Sequence, residues 1–126
     1  MITVVCAVIV INQKILATQR GQNMSLPLKW EFPGGKLEKN EDEISCIKRE
    51  IKEELNIEIS VKKRLIPSIY KYPNFTINLI PYVAHYQAGD LKLLEHANYK
   101  LLEKKDFFSL DWALADIPIL KQLTHI

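Results

Sequence analysis

The sequence predicts one α+β domain. Three observations carry that prediction: a Val/Ile-rich run over residues 2–11, a helix of clear periodicity ending at Leu55, and later strand-like runs separated by turn residues. The chain has 126 residues, about one domain's worth, and is 48% hydrophobic and 25% charged, a balance that supports a real core. A net charge of +2 provides no basic surface for a nucleic-acid polymer. Small anions remain open, because they need only a local site.

The opening MITVVCAVIVINQK lacks a positively charged start and a small-residue cleavage site, and its apolar run is too short to span a membrane. A buried strand in a cytoplasmic protein is the expectation. Asn12-Gln13 offers a turn, and KILATQR returns as a second strand ending at Arg20. GQNMSLPLK reads as a loop, and WEFPGGK is too rich in breakers to stay regular after Phe32.

The helix limits are legible. Asn40 is the expected N-cap, with Glu43 completing a capping box, and Asn56 is the expected left-handed exit. Ile44, Ile47, Ile51 and Leu55 form the apolar stripe between them. IEISVKKRLIPSIY and FTINLIPYVAHYQ read as strands around the break KYPN, and Gly89-Asp90 as a turn. LKLLEHANYKLLEKKDFF reads as strand, loop, strand. DIPILKQL closes the chain as a short helix, with Asp116 as its cap and Pro118 in its first turn. No repeat, low-complexity segment or linker divides the chain.

Cys6 and Cys46 stand far apart without a metal-ligand spacing, as two buried thiols in a reducing compartment would. His85, His96 and His125 also lack ligand spacing and read as structural or exposed, while Tyr70, Tyr72, Tyr82 and Tyr86 fit strands.

The helix carries an oddity. Glu50, Glu53 and Glu54 gather on one flank, while Lys48 and Lys52 occupy the other. Carboxylates grouped on a rigid surface suit a hard divalent cation such as Mg²⁺, which takes oxygen ligands. Taken alone, the trio fits an ordinary solvated acidic face better.

Its surroundings change that balance. From Gly35 the chain reads G-KLEKN-E-DEISCIK-RE-I-K-EE-L-N-I, which resembles the Nudix box over residues 35–57. Gly35, Glu41, Arg49, Glu50, Ile51, Glu53, Glu54 and Ile57 match at the required spacings. Asn56 stands where the pattern has Gly, a change between two residues that tolerate left-handed backbone.

The resemblance implies a Nudix fold, an α/β/α sandwich around a mixed β-sheet with the box as a loop–helix–loop, filling residues 1–126 as a single domain. It implies hydrolysis of nucleoside diphosphates linked to another group, with Mg²⁺ or Mn²⁺ as cofactor. By that likeness Glu50, Glu53, Glu54 and a backbone carbonyl of the Gly34-Gly35 turn would hold the cation. Glu53 or another glutamate of the box would help to activate water, Arg49 would orient its acidic neighbours, and Glu41 would tie loop to helix.

Outside the box, WEFPGGK, Arg20, YPNFTINL, Glu95-His96 and ADIPIL resemble the short MutT-type enzymes. That group hydrolyses free nucleoside triphosphates, including 8-oxo-dGTP, and is related to CTP pyrophosphohydrolases. On that likeness Arg20 would contact phosphate, Phe32 would pack on the base, and Asn74 and Phe75 would line the nucleoside pocket. Glu95 would reach the metal from a loop, and Asp116 would read the base edge. Each has a plainer alternative: a surface charge for Arg20, core for Phe32, a solvated acid for Glu95, a helix cap for Asp116. The expected substrate is a nucleoside triphosphate, with no nucleic-acid polymer, no membrane, and either monomer or homodimer.

Three readings follow. The first is removal of oxidised nucleotides such as 8-oxo-dGTP from the nucleotide pool. The second is hydrolysis of CTP or modified pyrimidine nucleotides. The third is a non-catalytic Nudix-like binding module, although such modules usually lose the carboxylates that this box retains.

Overall fold

In the computed structural model, which describes residues 1–125, the chain runs β1 (Ile2–Ile11), β2 (Lys14–Gln19), β3 (Trp30–Glu31), β4 (Gly34–Lys36), α1 (Glu43–Leu55), β5 (Glu58–Arg64), β6 (Ser68–Lys71), β7 (Thr76–Ala88), β8 (Asn98–Leu102) and α2 (Ile117–Leu123). The strands form one mixed sheet with its main path β3-β2-β1-β7-β5; β4 pairs with β1, β6 with β7 and β8 with β2. β1 and β7 run parallel, from Ile2 opposite Ile77 to Val10 opposite His85, and the other strand pairs among the described residues are antiparallel.

Val5 to Ile9 are all wholly buried, because both faces of β1 are covered. Side chains alternate across a strand, so Val5, Ala7 and Ile9 meet Ile47, Ile51 and Leu55 of α1. Cys6 and Val8 point the other way, into the cluster that holds Trp112, Ile119 and Leu120. This is the expected α/β/α sandwich. Burial of each large aliphatic side chain of α1 contributes roughly 1.5–3 kcal/mol. Ile44 does not share in this: it is 44% exposed, and buried Cys46 packs in the first turns instead.

The β1–β2 hairpin turns at Asn12 and Gln13, both at positive φ, as a two-residue turn between twisted strands requires. Both cysteines are free and buried.

The two ends of α1 are closed by different devices. Asn56 has the expected left-handed φ of 59°, and its N–H bonds to the Lys52 carbonyl. The N-cap, however, is Asp42 and not Asn40. Asn40 sits at φ 66°, outside the extended geometry a cap needs, whereas Asp42 at φ −78° and ψ 158° accepts the Ser45 N–H at 2.8 Å. Replacing Asp42 by Ala is expected to cost about 1 kcal/mol, whereas Asn40→Gly, which suits the positive φ there, should be nearly silent. Urea denaturation of the two variants measures the contrast; equal losses would contradict this cap.

Other expectations need correcting. After a break at Phe32-Pro33 the segment becomes regular again: β4 pairs antiparallel with β1, Gly34 opposite Cys6, because glycine lets the two backbones close up. The run from Ile57 to Tyr70 is two strands, broken at 65–67 where Pro67 cannot continue a ladder. No strand forms over 91–97; that segment is an irregular strap, tied by Lys92 N–H to the Leu55 carbonyl at 2.9 Å and Leu94 N–H to the Glu54 carbonyl at 3.0 Å. Residues 104–109 form a 3₁₀ turn where a strand end was expected. Asp116 stands at the cap position of α2 but makes no capping bond; its carboxylate has another partner.

Candidate active site

The β1–β4 pairing sets α1 beside the sheet with its acidic flank towards the Gly34-Gly35 segment. Arg49 organises that flank. Its Nε and Nη2 donate to the two oxygens of Glu41 at 2.8 and 3.0 Å, and its Nη1 donates to Glu50 at 3.0 Å and to Glu53 at 3.3 Å. The guanidinium fork thus ties the loop to the helix through Glu41 and aligns two carboxylates of the helix. It holds the Glu41 carboxyl down to about 2.

Glu54 differs from its neighbours. It is 5% exposed, and its Oε2 has no hydrogen-bond partner. Burial, then the charges of Glu95, Glu31 and Glu50, push its carboxyl up to about 9. Glu50 is raised too, burial first, although Arg49 pulls it back. Glu53 is the open member, with 55% of its side chain exposed. Glu95 lies exposed on the strap, close enough for its charge to act on both Glu50 and Glu54.

A cavity of about 350 Å³ is lined by Glu54, Gly34, Gly35, Arg20 and Glu31 together with Phe32, Tyr72, Phe75 and Asp116. Part of its wall is aromatic: Phe32, backed by Trp112 with ring centres 4.8 Å apart, and Tyr72 stacked on Phe75 at 5.0 Å. Asp116 is 4% exposed there and accepts the Phe32 N–H at 3.0 Å. Arg20 pairs with Glu31 at 2.9 Å on the cavity wall. An acidic rim and an aromatic pocket therefore share one space.

A protein-family comparison adds the decisive observation: the NUDIX domain model matches residues 1–123. The chain belongs to the NUDIX family. It is 32% identical over 121 residues to the CTP pyrophosphohydrolase of Escherichia coli K12, covering 96% of this chain and 90% of that protein. It is 31% identical over 116 residues to a Mycobacterium tuberculosis protein named putative 8-oxo-dGTP diphosphatase 2, covering 90% and 81%. Among solved structures, the MutT protein of methicillin-resistant Staphylococcus aureus 252 superposes with a TM-score of 0.79 at 39% identity, covering 98% of this chain and 95% of that one. The protein is thus a Nudix hydrolase.

In this Nudix domain the box glutamates suit a hard cation. The donors are carboxylate oxygens, Glu54 Oε2 is buried without a partner, and the raised carboxyls of Glu50 and Glu54 are ones that a positive charge would relieve. Among the described residues no three such side chains are already drawn onto one point. Arg49 holds Glu50 and Glu53 on this flank of α1.

The Nudix cavity brings together Arg20, Phe32, Gly34, Phe75, Asp116 and Glu54, with Glu50 against Gly35. It leaves Asn74 outside. The Tyr72 N–H closes the turn onto the Phe75 carbonyl at 2.8 Å, so Pro73 and Asn74 form an exposed tip while Phe75 folds back. Sequence reasoning missed Glu31 and Tyr72. A lone acid between two aromatics carries no periodic signal, and Tyr72 read as an ordinary strand residue. Its hydroxyl accepts the Ala115 N–H at 3.0 Å on the cavity wall.

Asp116 gives a test of the pocket's electrostatics. Burial, then the charge of Glu31, raise its carboxyl well above the ordinary range. The folded chain therefore binds this proton more tightly than the unfolded chain, whose aspartates titrate near ~3.9. Its contribution to stability is full below that value and is lost as pH rises through the folded one. Glu41 has the opposite sign, contributing above ~4.3 and losing its effect only as pH falls through about 2. Asp116→Asn keeps an oxygen for Phe32 and removes the ionisation. Thermal melts from about pH 5 to 8 should show a shallower loss of stability in the variant; parallel profiles would contradict the assignment.

Proposed function

We propose that this Nudix hydrolase cleaves nucleoside triphosphates to a monophosphate and pyrophosphate, with 8-oxo-dGTP as the preferred substrate and Mg²⁺ or Mn²⁺ as cofactor. The observation that carries the reading is the shared cavity: Glu54 of the box lines the same space as the aromatic side chains and the buried carboxyl of Asp116. One triphosphate can reach both.

The residues that would hold the cation are Glu50, Glu53, Glu54 and Glu95, with the Gly34 carbonyl. When bound, the metal supplies charge neutralisation of the phosphate chain and acidifies water. Arg20 offers a guanidinium fork to phosphate oxygens. Phe32 and Phe75 give the base an apolar seat, while Asp116 spends one oxygen on the Phe32 N–H and has the other for the base edge. Arg49 keeps Glu50 and Glu53 oriented, and Glu53, open to solvent, takes the proton of the attacking water. Water's oxygen joins phosphorus, the anhydride bond breaks, and pyrophosphate leaves with the bond's electron pair.

A second reading, hydrolysis of CTP or a modified pyrimidine nucleotide, is favoured by the relative named CTP pyrophosphohydrolase. A pocket distinguishes bases strongly only where it pairs with the group that differs. Pyrophosphate release from 8-oxo-dGTP, dGTP, CTP and 5-substituted dCTP therefore tests both. The expected order places 8-oxo-dGTP first by roughly tenfold or more in kcat/KM. CTP in first place would select the second reading, and no turnover of any would leave a binding module. No helix of the described residues is long and apolar enough to cross a membrane.

A further inference from the structure

One buried side chain beside the site is unused by the chemistry above. His96 sits on the strap between β7 and β8, with its side chain 1% exposed. Its Nε2 lies 2.9 Å from Glu31 Oε2, and Glu31 Oε1 accepts the Arg20 Nη1–H at 2.9 Å. Arg20 then donates Nε to the Ser25 carbonyl and Nη2 to the Ser25 hydroxyl. A continuous chain of hydrogen bonds thus links the strap, β3, the end of β2 and the loop over 21–29.

The strap does not need this histidine to stay closed. Backbone bonds already hold it, from Lys92 to Leu55, Leu94 to Glu54 and Ala97 to Gln19 at 2.9–3.0 Å. An apolar residue would fill the same buried place without bringing a polar ring that leaves its Nδ1 without a partner. What the imidazole adds is a donor aimed at a carboxylate on the cavity wall. Glu31 as acceptor fixes the tautomer with the proton on Nε2.

We propose that His96 is a positioning residue for substrate binding: it holds the Glu31 carboxylate, and Glu31 in turn presents the Arg20 guanidinium to the phosphates in the cavity. Both Glu31 oxygens are engaged, one from each side, so the carboxylate cannot rotate freely. Arg20 has five N–H donors, and the bonds above use three, which leaves one on each terminal nitrogen for phosphate oxygens. The role rests on the reading that a triphosphate occupies this cavity.

The test compares the full chain with His96→Leu, His96→Gln, Glu31→Gln and the double variant His96→Leu/Glu31→Gln. Titration calorimetry with Mg²⁺ and the slowly hydrolysed α,β-imido analogues of dGTP and CTP reads binding, and pyrophosphate release reads KM and kcat. His96→Leu should weaken binding of the accepted analogue by about tenfold and raise KM more than it lowers kcat, as loss of a hydrogen bond to a charged group predicts. His96→Gln, which keeps an N–H donor, should recover most of that loss. In the Glu31→Gln background His96→Leu should cost almost nothing further, because the two act as one unit.

A folded His96→Leu chain that binds like wild type overturns the proposal. So do fully additive losses in the double variant, which would mean that the histidine acts through packing alone. If His96→Leu does not fold, His96→Gln measured with and without Glu31→Gln decides the same coupling. Wild type that binds an analogue but releases no pyrophosphate defeats the functional reading while the binding cycle still judges His96. Wild type that binds neither analogue defeats both.

Discussion

Replacing Glu53 by Gln is expected to lower pyrophosphate release by roughly 10²- to 10⁴-fold, the usual range for losing a proton-accepting group. The fold should barely notice. Glu53 is half-exposed, and its partner is Arg49 at 3.3 Å, a surface ion pair of the kind worth at most about 1 kcal/mol. An ordinary acidic helix face predicts the reverse pattern, with no loss of activity. Steady-state assay beside a thermal melt separates the two: a variant that is stable and still turns over normally removes Glu53 from the chemistry.

The second large effect is on folding. A methyl group added at Gly34 would land on the Val5 carbonyl oxygen and 2.7 Å from the Cys6 Cα, both of them backbone atoms of β1. Neither can move without opening the sheet at its buried centre, so Gly34→Ala should cost about 3 kcal/mol or more. Gly35→Ala makes an instructive contrast. There the methyl group meets the Glu50 carboxyl, 2.6 Å from its Oε1, at the far end of a side chain that can swing aside by giving up its bond to Arg49. That variant should fold nearly as well as wild type and lose activity through a displaced Glu50. Denaturant melts and turnover on both variants check the pair, and equal stability would show that β4 can retreat from β1.

What the sequence disclosed, and what it withheld, follows from the range of the interactions involved. Local rules placed β1, its hairpin turn, the apolar stripe from Ile47 to Leu55 and the left-handed Asn56. The box spacing picked out the helix glutamates and Arg49, because residues close in sequence on one helix have fixed relations in space. The misplacements came where distant partners decide. Asn40 met the composition of a cap, yet the chain bends there at positive φ and Asp42 takes the role. PGGK resembled a breaker until β1 offered it a ladder. Asp116 was anticipated as a cap or a base reader, but its bond to the Phe32 N–H, across 84 residues of chain, has no local trace. Glu31 went unmarked, and His96 was read only as structural or exposed, for the same reason: their 2.9 Å contact joins residues 65 apart.

That dependence on distant pairing bears on how the molecule is born. The strand that lies parallel to β1 begins at Thr76, so its first partners, Ile2 and Ile77, are separated by most of the chain. Bringing them together closes a long loop before any contact rewards it, a topology associated with slow folding. A ribosome that has delivered residues 1–60 has therefore made every glutamate of the helix without the strand that completes the layer beneath it. Nascent chains arrested before and after residue 88 should differ sharply in protease resistance, with the helix cut readily in the shorter ones.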